Sequence, residues 1–200
     1  MLIVLSIIFY SFKISYERPN KGENSKKAIV NLPIQKTGTS RKTNFDNNCV
    51  TKAEQKIVQG NSLSGIIEHN STVNILFGYY NCNEIMRNDI VAFNFSGNKE
   101  PIIKVIKGIP GDKFSLIKNN QSWNILINNE ILKNSEDRSY KLDEHQYKML
   151  SLYEKDYKGT IPINAYLLMG NLEFGSLDST RFGLVGKSAI LGKVDPIKNN

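Results

Sequence analysis

A mainly β, barrel-like domain behind an N-terminal membrane anchor is the fold class this sequence predicts. Three observations lead there. Short runs rich in β-branched and aromatic residues recur between residues 56 and 194, closely spaced and separated by turn signals. Helical periodicity is scarce along the same stretch. The opening run MLIVLSIIFYSF carries no charge until Lys13.

That opening run is shorter than the roughly 20 apolar residues of a full span. It reaches that length if Lys13 and Tyr16 lie at the far interface with their polar ends in water. Residues 1–16 are therefore read as a short or truncated membrane anchor. No basic segment precedes the run and no A-x-A site follows it, which argues against a cleaved leader. Residues 17–50 are polar and suit a linker, with a short strand within Ala28 to Ile34. Residues 51–200 form the folded domain.

Within that domain, Lys56 to Gln59 leads as a strand into Gly60-Asn61-Ser62-Leu63-Ser64-Gly65. Thr72 to Tyr80 and the alternating Asp89 to Phe95 read as strands. Pro101 to Ile109 is a longer aliphatic strand, stopped by Pro110-Gly111-Asp112. Lys113 to Lys118, Trp123 to Ile127 and Glu130 to Leu132 follow, the last two joined by an Asn128-Asn129 hairpin turn. Residues 133–158 lack clean periodicity and read as a polar excursion with a short helix near 143–153. Ala165 to Met169 and Ser188 to Val194 complete the strands.

Composition narrows the function. Forty per cent apolar residues suffice for a real core. The charge of +7 is scattered, with much of the excess before residue 60. No helix-turn-helix or zinc spacing accompanies it, so nucleic acid is not expected as a partner, whereas an anionic membrane surface is compatible. Cys49 and Cys82 form no C-x-x-C pair and have no histidine at metal spacing, so neither a metal nor a cofactor is expected, and a disulfide stays open.

The chemistry-bearing residues are a serine on a glycine-containing turn and a lysine in an aliphatic strand. A serine hydroxyl needs a base to become a nucleophile. His69 and His145 are the histidines available; His69 lies in a polar stretch with no carboxylate orienter in sight, so both read as surface residues. Lysine serves instead if burial lowers its pKa from about 10.4 toward neutrality. In Pro101-Ile102-Ile103-Lys104-Val105-Ile106-Lys107, alternation places Lys104 on the face of Ile102 and Ile106, with Lys107 on the other. Gly60 allows close backbone approach, so N–H groups near Ser62 can face an oxyanion. Ser64 competes with Ser62, and the residues alone do not choose between them.

These blocks, with Asn88 to Phe93, Ile161 to Gly170 and the stretch from Ser176 to Val185, together resemble the type I signal peptidases in order and spacing over residues 57–194. The serine block fits G-x-S-M-x-P-T-L, and Ile103 to Asp112 fits the lysine block I-K-R-V-x-G-x-P-G-D. The resemblance implies a barrel-like β domain of the signal-peptidase type. It implies Ser62 as nucleophile, Lys104 as general base, Ser176 as the hydroxyl orienting the lysine, and Asp178 as a structural acid at the site. It further implies backbone oxyanion donors at Ser62 and Gly60. Substrate would add as a strand beside Lys56 to Gln59, in shallow pockets made by Ile57, Gln59, Leu63, Ile66 and Val91. Departures are Leu63 for methionine, Gly65 for proline, Val105 for arginine, Asn171-Leu172 for the Asp-Asn pair after the glycine, and Thr180 for the arginine that partners the acid, with Arg181 one step away.

The implied activity is a membrane-bound serine endopeptidase that removes leader peptides from exported precursors, with precursor proteins and membrane lipid as partners. Alternatives are a conjugative-transfer relative maturing a pilin-like subunit, or a non-catalytic module keeping the fold. A single-pass membrane location with the domain outside is expected because precursors are cut there. Lys13, Arg18, Lys21, Lys26 and Lys27, which follow the apolar run, pull the other way under the positive-inside rule.

Overall fold

The computed structural model describes residues 49–96, 98 and 100–197, and the backbone of 29–31. The anchor expected at 1–16 and most of the linker lie outside these residues. Among the described residues no helix is long and apolar enough to cross a membrane.

The strands are β1 (Ile29–Asn31), β2 (Lys52–Gln59), β3 (Thr72–Phe77), β4 (Ile90–Phe93), β5 (Ile102–Gly108), β6 (Phe114–Asn119), β7 (Ser122–Ile127), β8 (Glu130–Ile131), β9 (Ala165–Met169), β10 (Val185–Gly186) and β11 (Ile190–Pro196). Two helices are interspersed, α1 (Glu144–Asp156) and α2 (Ser179–Phe182). An eight-stranded sheet has the order β1-β2-β3-β11-β4-β5-β9-β10, and β6-β7-β8 form a second sheet. All the ladders are antiparallel. The chain is thus mainly β. Among the described residues a single bridge, Ile29↔Ile102, links the β1 end of the large sheet to β5, so the sheet is not a barrel of continuous ladders.

β5 is buried along its whole length, as a central aliphatic strand should be. Ile103 and Val105 enter one core with Val58, Leu63, Ile67, Val73 and Ile75. Ile102 and Ile106 enter a second core with Val91, Phe93, Tyr166 and Leu168. Lys104 shares the face of this second set by alternation. A third core, with Phe114, Ile125, Leu150 and Leu167, joins the small sheet and α1 to β9.

Turn chemistry fixes the joints. Asn128 and Asn129 both take positive φ (53° and 70°), the paired left-handed conformations of a type I′ hairpin. Asp143 and Gln146 build a reciprocal capping box at the start of α1. Cys49 and Cys82 are joined by a disulfide, with Cα atoms 5.5 Å apart. The bridge ties the chain just before β2 to the 3-10 turn after β3 (Tyr79–Asn81).

Candidate active site

Ser62 sits three residues beyond β2. Gly60 makes the turn possible, at φ 92°, a conformation that favours glycine. The next residues coil tightly: Ser64 N–H donates to Asn61 O, and Ile66 and Ile67 N–H both donate to Leu63 O. Leu63 and Ile67 sink into the first core and anchor this coil. The result brings Ser62 Oγ to 2.8 Å from Lys104 Nζ, with both residues fully excluded from solvent.

Lys104 arrives from the middle of β5. Its amine also donates to Ile103 O at 3.0 Å. Burial pulls its pKa down to about 8, while the negative charge of Asp178 pulls the other way. Val91 stands directly across from Lys104 in the β4–β5 ladder and packs into the second core. A neutral amine carries a lone pair and can accept the Ser62 hydroxyl proton, the reverse of the bond made by the ammonium form. No group of three or more His, Cys, Asp or Glu among the described residues could hold a metal ion.

The other expected site residues divide. Asp178 is buried, its Oδ2 accepting from Gly170 N–H and its Oδ1 from Thr180 N–H and Oγ1. Thr180 thus gives Asp178 the partner that arginine was expected to supply, and Arg181 is exposed. Ser176 is buried, yet its Oγ has no hydrogen-bond partner. The expected bond from Ser176 to the amine is therefore not made; the amine's partners are Ser62 and Ile103. Gly60 is not a free oxyanion donor either, because its N–H donates to His69 Nδ1 at 3.1 Å. Ser62 N–H makes no hydrogen bond among the described residues.

The expected substrate pocket also needs correction. Leu63 and Val91 are fully buried in separate cores and line no open surface. Ile57, Gln59 and Ile66 are half-buried. The β2 edge beside Ile57 and Gln59 is not open, because β1 pairs along it. Ser64, the competing nucleophile, has its carbonyl bound by Asn171 and is not a hydrogen-bond partner of the amine.

A family profile described as "Signal peptidase, peptidase S26" matches residues 48–197. The chain belongs to this family. A signal peptidase I from Bacillus caldolyticus is 29% identical over 142 residues, covering 70% of this chain and 75% of that protein. A crystal structure of a signal peptidase I from Enterococcus faecalis V583 aligns with a TM-score of 0.38 at 21% identity, covering 56% of this chain and 97% of that one.

Three residues that the sequence reading gives no role hold the surroundings of the Ser62–Lys104 pair. Asn171 N–H donates to Ser62 O at 2.6 Å, and Asn171 Nδ2 donates to Ser64 O and Ser135 Oγ. Its Oδ1 accepts from Ser135 N–H. Asn171 therefore clamps both carbonyls flanking Leu63 onto the end of β9. Tyr140 Oη donates to Gly170 O at 2.7 Å. Gln146 Nε2 donates to Thr180 Oγ1 at 2.8 Å, extending the hydrogen-bonded chain from Asp178 into the first turn of α1. The stretch read as a polar excursion is thus the scaffold behind the site. Gly170 is required by this packing: a Cβ there would collide with Ser176 Oγ and approach Ser62 O to 2.9 Å.

Two expected results follow from this geometry. Asn171→Ala removes the side-chain bonds to Ser64 O and Ser135 while the backbone N–H still holds Ser62 O, so stability falls by about 1–2 kcal/mol in urea titration. Lys104→Met makes the domain more stable by about 2 kcal/mol at pH 7, because it removes a buried cation at the cost of two hydrogen bonds. The size of this gain depends on pH. With its folded pKa lowered to about 8, Lys104 binds fewer protons in the folded than in the unfolded chain between pH 8 and the ordinary lysine value. Wild-type stability therefore rises across that window, and the advantage of Lys104→Met shrinks there. Thermal unfolding of both proteins from pH 6 to 10.5 checks it.

Proposed function

We propose that this chain is a membrane-tethered serine endopeptidase that removes leader peptides from exported precursors, using Ser62 and Lys104 as a catalytic dyad. The observation that carries this reading is the 2.8 Å approach of Ser62 Oγ to a fully buried lysine amine. Burying a cation costs several kcal/mol and leaves a group poised near neutral pH, as base catalysis requires.

In this mechanism the neutral Lys104 amine takes the Ser62 hydroxyl proton as Oγ attacks the scissile carbonyl. Ser62 N–H, which is otherwise unpaired among the described residues, faces the developing oxyanion. The ammonium then protonates the departing amine of the mature protein. The freed amine next takes a proton from water, whose oxygen attacks the acyl-enzyme, and returns that proton to Ser62 Oγ as the C–Oγ bond breaks and the leader is released. Asp178 acts on the lysine by charge and on the serine turn through Gly170.

Residues 1–16 would serve as the single-pass anchor, with the catalytic domain on the external side. The Cys49–Cys82 disulfide supports that side, since such bridges persist in oxidising compartments. The test is incubation of the purified protein with a leader-bearing precursor, followed by mass mapping. One cut at the leader boundary is expected. An intact precursor, or a cut that persists in Ser62→Ala, contradicts the reading.

A further inference from the structure

β2 leads into Ser62 and β5 carries Lys104, and in the large sheet they are separated by β3, β11 and β4. Yet β1 lies against both. It pairs Ile29↔Gln59, Val30↔Val58 and Asn31↔Ile57 on one side and Ile29↔Ile102 on the other. Gln59 is the last residue of β2 and Ile102 the first of β5, so Ile29 lies between a residue three positions before Ser62 and one two positions before Lys104.

The backbone directions show what β1 covers. Val58 N–H donates to Ser71 O, and Val58 O accepts from Asn70 N–H, so both polar groups of Val58 face the β3 side. By alternation, Ile57 and Gln59 turn theirs toward β1, opposite Asn31 and Ile29. These are the groups an incoming extended peptide would use in strand addition. We propose that residues 29–31 are an internal strap seated in the peptide-binding groove between the serine strand and the lysine strand. An extended peptide must displace it to reach Ser62. The displacement rests on the peptidase reading above; the seat of the strap does not.

The strap is built to leave. It contributes three paired residues. Pro33, two positions on, has no N–H to extend the ladder. If the groove stands open for about a tenth of the time or less, apparent peptide affinity is weakened about tenfold or more.

The test compares the full chain with its Ile29→Pro/Asn31→Pro double variant, which lacks both N–H groups facing β2. Amide hydrogen exchange is read at Ile57 and Gln59, with Val58 as an internal control because its bond goes to Ser71. In the unmodified chain Ile57 and Gln59 are protected. In the variant they exchange at least about tenfold faster while Val58 is unchanged. Unprotected Ile57 and Gln59 in the unmodified chain, or equal protection in both proteins, overturn the strap. In a second arm, KM for an extended leader peptide falls about tenfold in the variant with kcat unchanged; equal KM values overturn the displacement. If neither protein cleaves, the peptidase reading fails and the exchange arm alone decides the strap.

Discussion

Ser62→Ala and Lys104→Ala each reduce precursor cleavage by a factor on the order of 10⁴–10⁶, while Ser64→Ala retains most activity. A nucleophile and its base act as a unit, so removing either costs nearly as much as removing both. The geometry separates the two serines. Ser62 Oγ shares a hydrogen bond with the buried amine, whereas Ser64 lies beyond Leu63 and contributes its carbonyl to Asn171. The double variant Ser62→Ala/Lys104→Ala should be no worse than the poorer single variant. Rates from discontinuous precursor assays, with far-UV circular dichroism to confirm folding, make the comparison. An active Ser62→Ala protein or a dead Ser64→Ala protein would move the nucleophile.

The second large effect is on stability. Cys49 and Cys82 lie 33 positions apart, and cross-linking them removes loop entropy from the unfolded chain. For a loop of that size the contribution is about 3–4 kcal/mol. The bridge acts with local packing: Gly78, at φ 76°, turns so closely that a Cβ would lie 2.8 Å from Cys49 O. Thr51 N–H and Phe77 O close the same corner. Cys49→Ser/Cys82→Ser should lower the melting temperature by about 10 °C for a folded part of this size. The bridge contacts neither Ser62 nor Lys104, so the variant keeps its cleavage rate at temperatures where it stays folded. A melting shift under 3 °C would show that the corner holds without the bridge.

What was legible in the chain was the chemistry carried by neighbours in sequence. Lys104 announces itself because Ile102, Ile103, Val105 and Ile106 surround it, and the same residues make β5 a buried strand. Asn128-Asn129 announces its turn because positive φ at both positions suits asparagine. The strand of Thr72 was expected to reach Tyr80; it stops at Phe77 because Gly78 turns left-handed and a 3-10 turn follows. Contacts between distant residues were not legible. Asn171 reaches Ser64 across 107 positions, and Gln146 reaches Thr180 across 34. Neither bond leaves a periodic trace, because one polar side chain meeting a carbonyl or hydroxyl imposes no pattern on its neighbours.

Leu63, Val91 and Gly60 show a different limit. Each flanks the site, and flanking residues invite a substrate-facing role. Leu63 points into the first core and holds the serine turn from beneath. Val91 faces the second core, across the β4–β5 ladder from Lys104. Gly60 spends its N–H on His69, which is exposed as the sequence predicts. All three therefore build the site. Residue type predicts burial better than it predicts which of two buried directions a side chain takes.

The pH dependence of Ser62 acylation by a serine-directed probe, with the label mapped by mass spectrometry, tests the central claim most directly. A buried amine acting as base predicts a labelling rate that rises with pH to a plateau, with a midpoint of about 8, and that vanishes in Lys104→Met. A rate that climbs without a plateau to the ordinary lysine value near 10.4, or a label that persists without Lys104, would contradict it.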